Sequence, residues 1–194
     1  MPAAHDYPRL IPLGEVTFEL RLMGPDDAAA VLAFAAGMPH HDLLFLQRDI
    51  RNPRVVAAWI DQIAAGNIVT VLAVRDGRVQ GCAAIVRDGL SWSPHVGECR
   101  VVVAPDARGH GLGREITQDA LALSLSLGIE KLLARMTPDQ QGAIAVFEEL
   151  GFHPEALFRD YVRDDSGASH DLVILSLDLV RHRAQLEAFG FSEV

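Results

Sequence analysis

Apolar and polar residues alternate along Val16-Thr17-Phe18-Glu19-Leu20-Arg21-Leu22, a period of two that predicts a half-buried strand. Pro25-Asp26-Asp27 then opens an alanine-rich helix to about Ala36, with its acidic residues in the first turn, where backbone N–H groups are unpaired. Residues 37 to 52 have no clear period: Pro39-His40-His41-Asp42 is followed by Leu43-Leu44-Phe45-Leu46. Pro53 restarts a helix through Trp59, Ile60 and Ile63, and Gly66 ends it. Two β-rich runs follow, Ile68 to Val74 and Val79 to Val86, and the Asp76-Gly77 pair between them is a hairpin signal. After a loop holding Trp92 and Pro94, a fourth strand is expected from about Val96 to Val103.

The period then changes to helical. From Gly111 to about Leu127, Leu112, Ile116, Ala120, Leu123 and Leu127 fall on one side. Lys131 to Met136 reads as a fifth strand. Thr137-Pro138-Asp139-Gln140 has a capping-box pair and a proline suited to the first helical position, and Leu150-Gly151-Phe152 closes that helix with a glycine in the left-handed stop. A last hairpin is expected from Phe158 to Arg163 and His170 to Leu177, then a terminal helix over residues 179 to 190. Residues 1 to about 14 hold three prolines and no period, so residues 1–15 are expected to be a loosely held lead-in. The order of elements predicts a mixed α/β sheet with helices on both faces: one domain over 16–178, with 179–194 as a C-terminal helical extension.

Composition narrows the function classes. At 194 residues, with 49% apolar and 22% charged residues, the chain fits a single globular domain. A net charge of −9 leaves no basic stripe to neutralise nucleic-acid phosphates, so no nucleic-acid partner is expected. Pro8, Arg9 and Glu15 interrupt any secretory leader pattern, and the apolar stretch Ala28 to Met38 is about half a membrane span, so no membrane partner and a cytoplasmic location are expected. Cys82 and Cys99 lack metal-ligand spacing and read as small buried apolar residues. In His40-His41-Asp42 the adjacent imidazoles point apart on most backbones, so no metal site is expected.

The candidate chemistry begins where the fourth strand runs into Arg108-Gly109-His110-Gly111-Leu112-Gly113 and directly on into a helix. Glycines let the backbone approach a ligand closely, and the helix start offers unpaired N–H groups and a partial positive charge. The natural occupant is a phosphate or pyrophosphate. A dinucleotide fingerprint would need a third glycine where Arg114 stands and would open the fold, whereas this loop follows an antiparallel hairpin. A nicotinamide-dependent oxidoreductase is therefore the weaker reading.

Spaced as Arg-x-x-Gly-x-Gly, the loop resembles the acyl-CoA pyrophosphate loop of the GCN5-related N-acetyltransferase (GNAT) superfamily. The element order from about 16 to 178 resembles that superfamily as well. The resemblance implies a central mixed, mostly antiparallel sheet of six to seven strands. It implies that amides of about Arg108 to Arg114 hold the pyrophosphate of acetyl-CoA, and that the pantetheine arm runs along Val101-Val102-Val103 like an added strand. His110 in the loop reads as a solvent-facing side chain that lends only its backbone N–H. Gln140-Gln141-Gly142-Ala143, with Phe147 and the Leu-Gly-Phe stop, resembles the family's second motif, Asn-x-x-Ala-x-x-x-Tyr. Gln140 stands for the asparagine, or is only a cap. Phe147 stands for the tyrosine and can pack on the co-substrate but cannot protonate a thiolate.

Acyl transfer to an amine needs a neutral nucleophile, a stabilised oxyanion and a proton for the departing thiolate. Glu98 is the candidate base, where several members of the superfamily carry a catalytic glutamate; a Glu98–Arg100 pair on one strand face is the alternative. Tyr161 is the candidate acid, and a packing tyrosine is its alternative. An N–H near Val101 could polarise the carbonyl. The resemblance places residues 24 to 66 and the final hairpin around the acceptor, and Asp42, Asp49, Asp160, Asp164 and Asp165 there would favour a cationic amine. The expected activity is acetyl transfer to a primary amine of a small molecule or peptide. A non-catalytic acyl-CoA-binding sensor is the alternative, and a homodimer is implied by the resemblance alone.

Overall fold

In the computed structural model, which describes residues 6–188, the period-two stretches become strands. They are β1 (Arg9–Leu13), β2 (Val16–Leu22), β3 (Ile68–Arg75), β4 (Arg78–Arg87), β5 (Val96–Val103), β6 (Lys131–Met136), β7 (His153–Arg163) and β8 (Ser169–Asp178). The helices are α1 (Ala28–Ala36), α2 (Pro53–Ala64), α3 (Leu112–Ser126), α4 (Gln141–Glu149) and α5 (Leu179–Ala188). One sheet joins all eight strands in the order β1-β2-β3-β4-β5-β6-β8-β7, antiparallel throughout except for the parallel β5–β6 pair.

The eighth strand corrects the expected lead-in. Arg9–Leu13 pairs with β2 across a turn at Gly14-Glu15, with Leu13 opposite Val16 and the buried Ile11 opposite Phe18. Pro12 hid the strand, yet a proline is tolerated on an edge strand, where one missing N–H breaks no inner ladder. This edge is pinned from beneath: Arg9 donates to the fully buried Asp119 carboxylate of α3 through Nε (3.1 Å) and Nη2 (2.6 Å), and the Tyr7 hydroxyl donates to the same carboxylate. Residues 1–5, and residues 189–194 of the expected C-terminal extension, lie outside the described residues.

Local chemistry explains the other boundaries. The Asn52 side chain caps α2 by accepting the Arg54 N–H at 3.0 Å, with Pro53 in the first turn. Asp76 and Gly77 both adopt left-handed φ, 52° and 73°, as the tight β3–β4 hairpin requires. α4 begins at Gln141 and not at Pro138, because Gln140 N–H and Gln141 N–H first close turns onto Thr137 O and Asp139 O. The last hairpin begins at His153 and not at Phe158: irregularities at Pro154/Ala156 and Phe158/Val162 break the alternation that would have revealed it. β7 is an outer edge strand with Leu157, Phe158 and Tyr161 exposed.

Two cores sandwich the sheet. On one face Ile116 and Ala120 of α3, Phe147 of α4 and Leu179 of α5 pack on Ile85 and Leu132. On the other, Val31 and Phe34 of α1, Val56 of α2 and the 3-10 segment His40–Leu46 pack on Leu72, Cys82 and Val102. That segment is the stretch whose sequence had no readable period. Among the described residues no helix is long and apolar enough to cross a membrane.

Candidate active site

The site starts with a split in the sheet. β5 and β6 pair from Val96↔Lys131 to Cys99↔Ala134, and the pairing stops there. On its other side β5 stays paired with β4 as far as Gly81↔Val103. Residues 100 to 103 therefore keep one edge without a strand partner. Ala104 N–H donates toward β4, to Gln80 O at 2.8 Å. Because N–H groups alternate sides along a strand, those of Val101 and Val103 face the split.

The glycine loop closes one end of this opening. Gly109 and Gly111 hold φ of 77° and 86°, a region that side-chain-bearing residues rarely adopt, and α3 begins at Leu112. Among the described residues no protein acceptor takes the N–H of Gly109, His110, Gly111, Leu112 or Gly113. The Arg108 N–H, in contrast, turns back to Pro105 O at 3.4 Å, so the open amides begin one residue later than expected. Its guanidinium spans the split, donating to Val103 O at 3.0 Å and to Asp42 Oδ2 at 2.7 Å. His110 folds its Nδ1 onto Arg108 O at 2.8 Å and is exposed.

A cavity of about 650 Å³ joins these parts. Val101, Val102 and Val103 form one wall, Arg108, Gly109 and Gly111 to Arg114 a second, and Gln140, Ala143 and Phe147 of the α4 region a third. Every predicted donor-side residue except His110 lines it. Gln140 Oε1 also accepts the Thr137 N–H at 3.0 Å, so the residue is a cap as well as a wall. Phe147 is buried and meets Phe152 edge to face, with centroids 4.9 Å apart.

The predicted catalytic pair is not brought together. Glu98 is nearly buried, and its Oε1 accepts from Arg100 Nε at 2.7 Å while Oε2 lies 3.6 Å from Arg135 Nη2. The expected same-face pair with Arg100 therefore forms and is extended by a second cation. Tyr161 is half-exposed, stacks on Phe158 at 5.1 Å between centroids, and lines neither this cavity nor the next. Cys82 and Cys99 lie in different cores, and burial pushes both thiols up to about 12.

Sequence reasoning missed a second cavity, of about 510 Å³, on the α1–α2 face. Small side chains on β4, Cys82 and Ala84, make its floor with Arg100 and Val102 of β5; Val55 and Trp59 of α2 make its roof. Trp59 is held by a hydrogen bond from Nε1 to Thr70 Oγ1 at 3.0 Å. Val102 lines both cavities, so they meet at the split. The only sequence signal was the small-residue run Gly81-Cys82-Ala83-Ala84 within a strand, which is too common to mark a site.

The acidic rim expected to attract a cation is largely neutralised. Asp42 is held by Arg108, Asp49 by Arg51 at 2.8 Å, Asp165 by His40 at 3.1 Å and Arg51 at 3.4 Å, and Asp164 by His170 at 2.8 Å. Hydrogen bonds from Ser166 and His170 hold the Asp164 carboxyl well below the usual carboxylate range. His41 Nε2 meets Asp139 Oδ2 at 2.6 Å, so the adjacent imidazoles of His40 and His41 turn to different carboxylates.

A split strand, open amides on a glycine loop and a shared cavity make up the site, and comparison with known proteins bears on the family and the fold. The model of the Acetyltransferase (GNAT) family matches residues 39–152. The chain belongs to that family. It is similar to mycothiol acetyltransferase of Streptomyces coelicolor, 33% identical over 137 residues, which is 66% of this chain and 40% of the relative. The chain spans less than half the length of the mycothiol acetyltransferases it matches. Among solved structures it is similar in fold to yncA of Salmonella typhimurium with its cofactor acetyl-CoA (TM-score 0.72, 20% identity, 84% of this chain and 94% of that one). A ribosomal-protein-S5-alanine acetyltransferase from Vibrio fischeri also shares the fold (TM-score 0.74, 15% identity, 89% and 97%). These likenesses confirm the GNAT fold read from the sequence, with one strand more.

Proposed function

We propose that this GNAT protein transfers an acetyl group from acetyl-CoA directly to a primary amine. The observation that carries the reading is the Val101–Val103 edge without a strand partner, which opens into the same cavity as Gly109, Gly111, Leu112 and Gly113, whose N–H groups have no protein acceptor among the described residues. The amides suit a pyrophosphate at a helix start, and the strand edge suits an extended amide-bearing arm. In this reading the acyl group reaches Val102, where the second cavity delivers the amine. The amine lone pair attacks the thioester carbonyl, the C–N bond forms as the C–S bond breaks, and the amine's surplus proton leaves with the thiolate as free thiol. The Val101 or Val103 N–H on the split is placed to stabilise the oxyanion. The exposed β7 edge supports the homodimer that the family resemblance implies.

Glu98 is proposed as the residue that accepts the proton, on the β5 face shared with Arg100 and Val102. Its test is Glu98→Gln. A general base typically contributes about 10²–10⁴-fold, so kcat should fall by at least about 100-fold. Binding of acetyl-CoA, read as a rise in Tm, should persist; a ligand at 100 times its Kd adds about 2.7 kcal/mol. An unchanged kcat would leave Glu98 as the structural partner of Arg100 and Arg135. One set of observations favours the second reading, a binding-only protein: Phe147 brings no hydroxyl to the cavity, Tyr161 lies outside it, and Glu98 is engaged by two guanidinium groups. That reading requires acetyl-CoA to raise Tm while every amine leaves thiol release at background.

A further inference from the structure

The second cavity has a charge opposite to that of the molecule. The protein carries a net −9, yet Arg48, Arg87 and Arg100 line this space and Asp88 is the sole carboxylate residue among its lining. Asp88 is exposed and already accepts the Leu90 N–H at 2.9 Å. Arg48 is exposed and has no hydrogen-bond or ion-pair partner among the described residues. It follows Gln47, a non-glycine residue at φ 62°, a left-handed kink that ends the 3-10 segment where the chain borders the cavity. Arg100 uses only Nε on Glu98, and Arg135 shares that carboxylate, so the cluster of two guanidinium groups and one carboxylate keeps a net positive charge. Arg87 is fixed at the far end by Gly66 O at 3.0 Å and has no carboxylate partner among the described residues.

We propose that the acceptor is a small amine that also carries a carboxylate, a free amino acid in character, held by Arg100 and Arg48. The proposal rests on the acyl-transfer reading above and names the substrate class of its acceptor side. Arg100 and Val102 project from the same face of β5, two residues and about 7 Å apart. With the reacting amine at Val102, the anion sits within a few bonds of it, as in an α-amino acid. The floor of Cys82 and Ala84 and the roof of Val55 and Trp59 suit an apolar or uncharged side chain. Guanidinium groups match carboxylates by paired N–H donors, and an acceptor that lacks the anion forgoes those charge-assisted bonds. The cationic-amine preference expected from the rim carboxylates is replaced, because Asp42, Asp49, Asp164 and Asp165 are already partnered.

The experiment is thiol release from acetyl-CoA against a panel of L-amino acids and the matching carboxamides, which keep the amine and shape and remove the anion. The acids should exceed their amides in kcat/KM by at least about tenfold, and Arg48→Gln should cut that acid-to-amide ratio by at least about threefold. Arg48 is exposed and makes no hydrogen bond or ion pair among the described residues, so this variant should keep its Tm. Arg100→Gln should narrow the same ratio, but because it releases the proposed base Glu98 its turnover of the amides should fall as well, so the acid-to-amide ratio in Arg48→Gln is the deciding readout. Amides equal to or better than acids overturn the anion site and leave the transferase reading standing. If no amine raises thiol release, the transferase reading falls, and calorimetry of N-acetyl-leucine against N-acetyl-leucinamide decides the anion site separately. Tighter binding of the acid, lost in Arg48→Gln, supports it; equal binding, or none, overturns it.

Discussion

The two cavities that meet at Val102 are built from different materials. Two of the three walls of the larger are main chain: a strand edge released from its neighbour and a run of glycine-loop amides. The smaller is walled by side chains, with small residues for a floor and arginines and a tryptophan around them. Main-chain walls recognise what is common to a class of ligands, since every amide is alike. Side-chain walls recognise what is particular, and can be rewritten one substitution at a time without disturbing the sheet.

That contrast can be broken most severely by loosening the frame of the main-chain cavity. Asp119 anchors α3, which carries the amide loop, to Arg9 and Tyr7 of the N-terminal edge. Asp119→Ala takes the acceptor from the part-buried Tyr7 hydroxyl and Arg9 guanidinium, and polar groups left unpaired cost about 1–3 kcal/mol, so the unfolding free energy should fall by about 3 kcal/mol in urea. A loss within ~0.5 kcal/mol would show that β1 contributes little to holding the helix.

A milder change sharpens the contrast. Gly111→Val places a β-branched residue at φ 86°, where left-handed geometry costs roughly 1–2 kcal/mol, and crowds the open amides. The Kd for acetyl-CoA should rise about tenfold or more while the KM for the acceptor stays the same. Equal effects on both substrates would mean that the two cavities are not separable.

The smallest effect concerns the thiols. Burial pushes Cys82, on the floor of the side-chain cavity, and Cys99, in the opposite core, up to about 12. At pH 8 only about one thiol in 10⁴ is then ionised, so iodoacetamide should leave both unmodified until the protein is unfolded. Rapid labelling of Cys82 alone would show that cavity to be open and wet. The same shifts set a sign for pH dependence. The folded state holds these protons, and that of Tyr7, more tightly than the unfolded chain does. Stability from them is complete below about pH 8.5 and is lost as pH rises toward about 12, which a Tm series between pH 7 and 11 would follow.

What could be read from the chain follows the same division. β2 to β6, α3 and the glycine loop announce themselves through local rules: period, cap, and the conformations that only glycine adopts freely. The Asp-Gly hairpin and the Leu-Gly-Phe stop are further examples. The side-chain cavity depends on residues far apart in sequence, Arg48 and Trp59 with Cys82 and Arg100, and nothing local ties them together. The 3-10 segment His40–Leu46 was unreadable because tertiary contacts and the ion pair of Asp42 with Arg108 shape it more than its own periodicity does. β1 was hidden by one proline, and the opening of β7 by its irregular register.

The split of β5 from β6 also bears on kinetic order. A donor seated along the strand's margin and an acceptor arriving over its broad side occupy separate approaches, so neither has to depart before the other enters. Under the proposed activity, double-reciprocal plots at several concentrations of each substrate should therefore intersect, the pattern of a ternary complex, and should not run parallel as for a substituted enzyme.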